Sequence, residues 1–152
     1  MRTLLVWLCL LVPSLLAQRA GAASSASVPH LRIELLAEDA ALTKGRDLQL
    51  GLHFVLEKGW HLYFVNPGDS GEPPRVSWTL PAAGGAGLRV GELRWPTPQR
   101  LVAGPLVNYG YEDEVTLLAP LHADSAAAVG TDMRPLVVSA AVSWLVCHQE
   151  CI

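Results

Sequence analysis

Basic residues are scarce. Eleven Lys and Arg face fourteen Asp and Glu in 152 residues, and they gather nowhere, so the clustered positive charge that a nucleic-acid surface needs is missing. No apolar run reaches the ~20 residues of a membrane-spanning helix. There is no convincing amphipathic helix, no internal repeat and no low-complexity tail. Cysteine is rarer still, confined to Cys9, Cys147 and Cys151, which rules out a dense disulfide framework of the kind small secreted scaffolds use.

The start of the chain has the marks of export. Met1-Arg2-Thr3 precedes an apolar stretch over residues 4–16 that is broken by Pro13, and Ala20-Gly21-Ala22 forms an A-x-A cleavage signature. The expectation is a secretory signal over residues 1–22, removed near Ala22 or Ala23, and a single domain over residues 23–152. Cys9 leaves with the signal, and it lacks the small residues just before the cysteine that a lipoprotein signal shows. The mature chain loses Arg2 and Arg19, leaving nine basic against fourteen acidic side chains, a net charge of about −5. About 130 residues suffice for one domain with one core. The chain stops one residue after Cys151, and a strand-and-turn unit ending there reads as a C-terminally truncated fragment.

Two cysteines then remain in an oxidising compartment. If residues 147–151 ran on as a strand their Cα atoms would lie about 13 Å apart, whereas a disulfide needs them within roughly 7 Å. The chain must turn through His148-Gln149-Glu150. In the preceding strand, Leu136, Val138, Ala140, Val142, Trp144 and Val146 share one wholly apolar face, which should meet the core, and Cys147 falls on the more polar side. A bridge over so short a loop stabilises by only about 2 kcal/mol, against nearly 5 for a loop of about 100 residues. Reversible thiol exchange suits such a pair best; a structural bridge and a metal site are the other two uses.

Between the ends, the pattern is of short strands. Residues 31–37 form a first one. Residues 47–57 alternate most cleanly, with Leu48, Leu50, Leu52, Phe54 and Leu56 on one face. Lys58-Gly59 turns the chain into a strand at 60–65. Residues 66–74 are crowded with Pro, Gly, Asp and Ser and read as a solvated loop. Asp69 and Glu72 within it lack the spaced oxygen ligands of a calcium loop. Strands follow at 75–80, 88–95 and 114–122, with Pro120 marking an edge or bulge. Residues 107–112 read as a hairpin turn with half-buried tyrosines, and residues 124–135 as a loop. Seven or eight such strands point to an all-β, immunoglobulin-like antiparallel sandwich over a core that includes Trp60 and Trp144.

Several stretches together resemble a known family. Gly59-Trp60-His61-Leu62-Tyr63, Asn66-Pro67-Gly68-Asp69-Ser70-Gly71, Trp78-Thr79-Leu80-Pro81, Trp95-Pro96, Asn108-Tyr109-Gly110-Tyr111-Glu112 and Trp144-Leu145-Val146-Cys147, closed by Cys151, are similar to the periplasmic N-terminal domain of DsbD-type thiol:disulfide interchange proteins, with the closer likeness to the ScsB-like branch. The resemblance runs from about Leu31 to Ile152. It implies a sandwich whose cysteine pair, here Cys147 and Cys151, takes electrons from a membrane-embedded domain recharged by cytoplasmic thioredoxin. The pair then acts as a protein-disulfide reductase on periplasmic thioredoxin-like partners, in disulfide isomerase, copper-resistance or cytochrome c maturation routes. It implies a periplasmic location, a full-length protein anchored in the inner membrane with a terminal thioredoxin-like domain, and no cofactor. Asn108, Tyr109 and Gly110 match the loop that caps the pair. The pair is spaced by three residues where the best-known members have a longer insert, and Asn108 stands where they have an aromatic residue, which leaves the shielding to Tyr109.

Two rivals come from other classes. A C-x3-C pair on a sandwich also occurs in the dinuclear copper domain of cytochrome oxidase subunit II, since thiolates suit copper. His53, His61 and His122 are the available upstream ligands, although His53 and His122 fall on polar parities. A secreted adhesion module with a structural bridge is the other rival.

Overall fold

The leucines of residues 48–56 run at the two-residue period of a strand, and they build the centre of the molecule. The computed structural model describes residues 24–43, 45–81, 85, 87–124, 127 and 136–152; the expected signal, and most of the loops at 82–87 and 124–135, lie outside them. The strands in chain order are β1 (Ser25–Val28), β2 (Leu31–Ala37), β3 (Leu48–Leu56), β4 (His61–Gly68), β5 (Arg75–Thr79), β6 (Leu88–Val90), β7 (Gln99–Ala103), β8 (Leu106–Glu112), β9 (Glu114–Ala123), β10 (Ser139–Ser143) and β11 (Val146–Cys147). Among the described residues there is no helix.

One sheet has the order β1-β2-β3-β9-β6, a second β11-β4-β8-β7, and β10-β5 forms a separate ladder. Every pairing is antiparallel. The two larger sheets enclose one main core, in which Leu52, Phe54 and Leu117 from the first meet Leu62, Tyr111 and Val146 from the second. Packing two antiparallel sheets face to face in this way is the immunoglobulin-like sandwich. A satellite cluster around Leu50, Leu88 and Leu121 continues the core at one end. Trp60 and Trp144 are half-buried and pack against the main core from its edge, while the fully buried side chains are Phe54, Leu52, Leu62, Leu117 and Val146.

The local differences from the sequence reading have physical causes. Residues 107–112 are strand β8, not a turn, because the reversal falls one hairpin earlier, at Gly104-Pro105, and again at Asp113, which has φ 61°. The strand that pairs with β8 on its outer edge, β7, has too little alternation to be read in advance. The chain at 66–68 is still β4, carried past a register shift between Tyr63 and Gly68. Residues 88–95 form strand only to Val90, and pairing resumes as an isolated bridge from Arg94 to Leu118. Pro120 lies between β3 and β6, not at the edge of the sheet. Its missing N–H falls on the side where β6 has just ended, and its carbonyl accepts from Gly91 there at 2.8 Å. The final strand is split: β10 pairs with β5, and after Trp144-Leu145 the chain changes ladder so that β11 pairs with β4.

Candidate functional site

The cysteine pair sits on a miniature hairpin at the edge of the four-stranded sheet. Val146 N–H donates to the Ile152 carbonyl at 3.1 Å and Ile152 N–H to the Val146 carbonyl at 3.0 Å, and within the loop His148 N–H donates to the Glu150 carbonyl at 3.0 Å. The next pair inward, Cys147 and Cys151, is therefore a non-hydrogen-bonded pair, the kind whose Cα atoms approach most closely. They stand 4.1 Å apart and are joined by a disulfide. The turn through His148-Gln149-Glu150 is thus as the spacing requires.

The two cysteines differ in burial. Cys147 is 3 % exposed and Cys151 is open to solvent. The polar parity of Cys147 does not make it accessible: it faces away from the core, yet it lies beneath the bridge to Cys151 and is hemmed in by β4. On the core side of the same strands Val146, Leu62 and Tyr111 are buried. On the outer side Cys147 stands opposite His61, which in turn stands opposite Glu112.

A groove of about 320 Å³ opens on this outer side, bounded among others by Gly59, His61, Glu112 and His148 near the cysteines and by Leu101 and Asn108 across from them. The His148 ring lies over Gly59, so close that a Cβ there would meet it at 3.2 Å, and it reaches toward Trp60 with ring centroids 6.0 Å apart. Trp60 is also stacked against His30, with ring centroids 3.9 Å apart. The aromatic side chains that flank the hairpin thus come from the chain just before β2, the entry to β4 and the disulfide loop itself.

The expected cap residues lie in β8, one strand beyond β4. Asn108 is 2 % exposed and does not point into water. Its Oδ1 accepts from Ser70 N–H at 3.0 Å, and its Nδ2 donates to Ser70 Oγ at 2.9 Å. Asp69 adds a second clasp, accepting from Val107 N–H at 2.8 Å. The loop at 69–71 is therefore tied to β8 and covers the Tyr63 ring, where Gly71, at φ 90°, leaves room that a Cβ 2.3 Å from the ring would abolish. Burial raises the Tyr63 phenol pKa, and a hydrogen bond with Ser70 partly offsets this. Gly110 has an unexceptional φ and is needed for space instead: a Cβ there would sit 2.2 Å from the Leu62 carbonyl oxygen. Tyr109 is 40 % exposed, three residues along β8 from the Glu112 that marks the level of the cysteines. At ~3.3 Å per residue this is about 10 Å along the strand.

Of the three upstream histidines, only His61 neighbours the cysteines. His53 is hydrogen-bonded to Thr116 at 2.9 Å and His122 to Asp47 at 2.5 Å, both within the five-stranded sheet and its approach. Among the described residues no group of three or more His, Cys, Asp or Glu side chains is gathered for a metal ion. The place of His61 opposite Cys147 and the loop clasp by Asn108 are the features that sequence reasoning missed. The parity of β4 already put His61 opposite in sense to Leu62, but its strand partner is 86 positions away and leaves no local signal.

A sandwich that carries a cross-strand cysteine pair, one cysteine buried and one exposed, defines a class of all-β domains with a disulfide-forming site. The family described as thiol:disulfide interchange protein DsbD, N-terminal, matches residues 32–152, and the chain belongs to it. The crystal structure of the N-terminal periplasmic domain of ScsB from Proteus mirabilis has the same fold, with a TM-score of 0.61 at 21 % identity over 86 % of this chain. The match covers 47 % of that structure, so the chain spans about half of its length. No curated protein sequence matches the chain. Among the described residues no helix is long and apolar enough to cross a membrane.

Proposed function

We propose that this domain exchanges thiols and disulfides in the periplasm, and that Cys147 and Cys151 relay reducing equivalents from a membrane electron-transfer domain to thioredoxin-like partner proteins. The observation that carries this reading is the asymmetry of the pair: Cys151 is exposed and Cys147 is buried beside it. Exchange needs one sulfur that a partner can reach and a second held ready to displace it. In the reducing direction the Cys151 thiolate attacks the partner disulfide and forms a mixed disulfide. Cys147 then attacks Cys151, the partner leaves as a dithiol, and the domain is left oxidised. Two electrons and two protons pass to the partner.

The finer assignments rest on the family resemblance: partners in disulfide isomerase, copper-resistance or cytochrome c maturation routes, export by a signal over residues 1–22, and a membrane anchor with a thioredoxin-like domain in a longer protein. The Asn108-Tyr109-Gly110 segment is the proposed cover. Asn108 supports it, since it both bounds the groove beside the pair and holds the loop at 69–71. Of the upstream histidines that the copper reading offers, His61 is the one beside the cysteines.

Thiol labelling of the protein across a series of redox buffers tests the proposal. The pair should titrate between dithiol and disulfide as a two-electron couple. A pair that stays oxidised below about −300 mV behaves as a structural bridge and overturns it. A Cys147→Ala variant should accumulate the mixed disulfide on Cys151 when offered a thioredoxin-like protein.

A further inference from the structure

His61 lies directly across the β4–β11 ladder from Cys147, which lies across from Cys151. Residues opposed in an antiparallel pair place their Cβ atoms about 4.5–5.5 Å apart on one face, so the Cβ atoms of His61, Cys147 and Cys151 form a single row. The His61 Nε2 atom is shut off from solvent and has no hydrogen-bond partner. A buried polar atom without a partner costs about 1–3 kcal/mol, and such an exception calls for a reason. The disulfide offers it no proton, whereas a Cys147 thiol, once formed, places an S–H donor in the same row.

The chemistry of the buried sulfur supplies the reason. A thiol shut off from water holds its proton more tightly than a free one, and only the thiolate is nucleophilic. The exposed Cys151 can lose its proton to water. Cys147 cannot, so its step needs a local acceptor. We propose that His61 is the general base of the resolving step, taking the Cys147 proton as the Cys147 sulfur attacks Cys151 in the mixed disulfide. The Cys147–Cys151 bond forms, the bond from Cys151 to the partner sulfur breaks, and the electron pair leaves on that sulfur. The proton held by His61 then passes to the departing thiolate. This deepens the exchange reading and rests on it.

The surroundings keep His61 in the form that accepts a proton. Burial lowers its pKa most, Glu112 opposite it on β8 raises it, and His148 from the disulfide loop lowers it again. Tyr63 stands edge-on at 5.0 Å along the same strand, and Arg100 of β7 faces the same groove.

The reduced protein mixed with excess chromogenic aromatic disulfide releases two equivalents of coloured thiol. The first reports attack by Cys151 and the second resolution by Cys147. In His61→Gln the second phase should slow about tenfold or more, as loss of a general base does, while the first is unchanged. The unaltered protein's second phase should rise with pH through a midpoint below about 6.5, the ordinary imidazole value, and this inflection should vanish in the variant. Glu112→Gln, an exposed change that keeps the fold if His61→Gln does not, should move the inflection to lower pH. An unchanged second phase in folded His61→Gln, or an inflection that Glu112→Gln leaves in place, overturns the role of His61 alone. Absence of a second release from the unaltered protein overturns the exchange reading, and His61 with it.

Discussion

Val146 and Ile152 exchange both backbone hydrogen bonds across the loop that holds the disulfide. The hairpin is thus closed by main-chain bonds as well as by sulfur, and β11 is further held by its ladder to β4. Opening the disulfide leaves these bonds in place. The site can change its redox state while its frame persists, and the row from His61 to Cys151 should survive in both states.

Reduction should therefore lower stability only modestly. The loop closed is five residues long from Cys147 to Cys151, and chain entropy assigns such a loop about 2 kcal/mol. Chemical denaturation of the oxidised and reduced protein should give unfolding free energies that differ by that amount or less. The comparison is better made by reduction than by substitution, because Cys147 is buried and a serine hydroxyl there carries a cost of its own. Loss of the fold on reduction would make the bridge structural.

Asn108→Ala should destabilise the domain by about 2 kcal/mol. The side chain is buried and satisfies both the backbone and the hydroxyl of Ser70, and its removal leaves those groups unpaired. The Asp69 clasp to Val107 remains, so the effect should concentrate in the loop at 69–71. Amide hydrogen exchange read at Ser70 and Gly71 should quicken more than in β3, and uniform quickening would mean that Asn108 supports the sheet instead.

Tyr109 tests the proposed cover over the pair. Tyr109 is 40 % exposed next to the anchored Asn108, and access is one of the factors that set exchange rates. Tyr109→Ala should leave the circular dichroism spectrum unchanged and speed the reaction of the reduced pair with a small disulfide by severalfold. An unchanged rate would show that Tyr109 is an ordinary strand residue of β8, and that shielding comes from the loop tied down by Asn108 or from the burial of Cys147 itself.

How much of this was legible follows from how local each signal is. The alternation of Leu48 to Leu56 lies within nine residues and marks β3 directly, and the even-numbered face from Leu136 to Val146 proved to be the inward one. The turn between the cysteines follows from a distance limit that any strand must obey. By contrast, the constraint on Gly110 is the Leu62 carbonyl on the adjacent strand, which nothing in the neighbouring sequence marks. Asn108 was read as part of a turn, and its partner Ser70 is 38 residues away. The split of the last strand between two ladders depends on which strands lie alongside it, and no periodicity within residues 136–147 carries that. Register between distant strands is a property of the whole sandwich, and it is register that placed His61 beside Cys147.

The final prediction concerns alkaline pH. Tyr111 shares the core with Leu62 and Val146, and its hydroxyl donates to the Pro96 carbonyl at 2.7 Å. Burial pushes its pKa up from 10 to about 12. Between those values the unfolded chain gives up the phenol proton while the folded chain keeps it, so the unfolded state binds fewer protons and stability falls as pH rises. The contribution is intact below about pH 10 and is lost on approaching about pH 12. Tyr63, raised in the same direction by burial, adds to the fall. Tyr111→Phe should be less stable than the unaltered domain at neutral pH, because the bond to Pro96 is gone. Its denaturation midpoint should nevertheless decline less steeply over this range, retaining only the part due to Tyr63 and the general alkaline background. Parallel declines in the two proteins would mean that Tyr111 ionises in the fold as it does in water, and that the edge of the core near Pro96 opens to solvent.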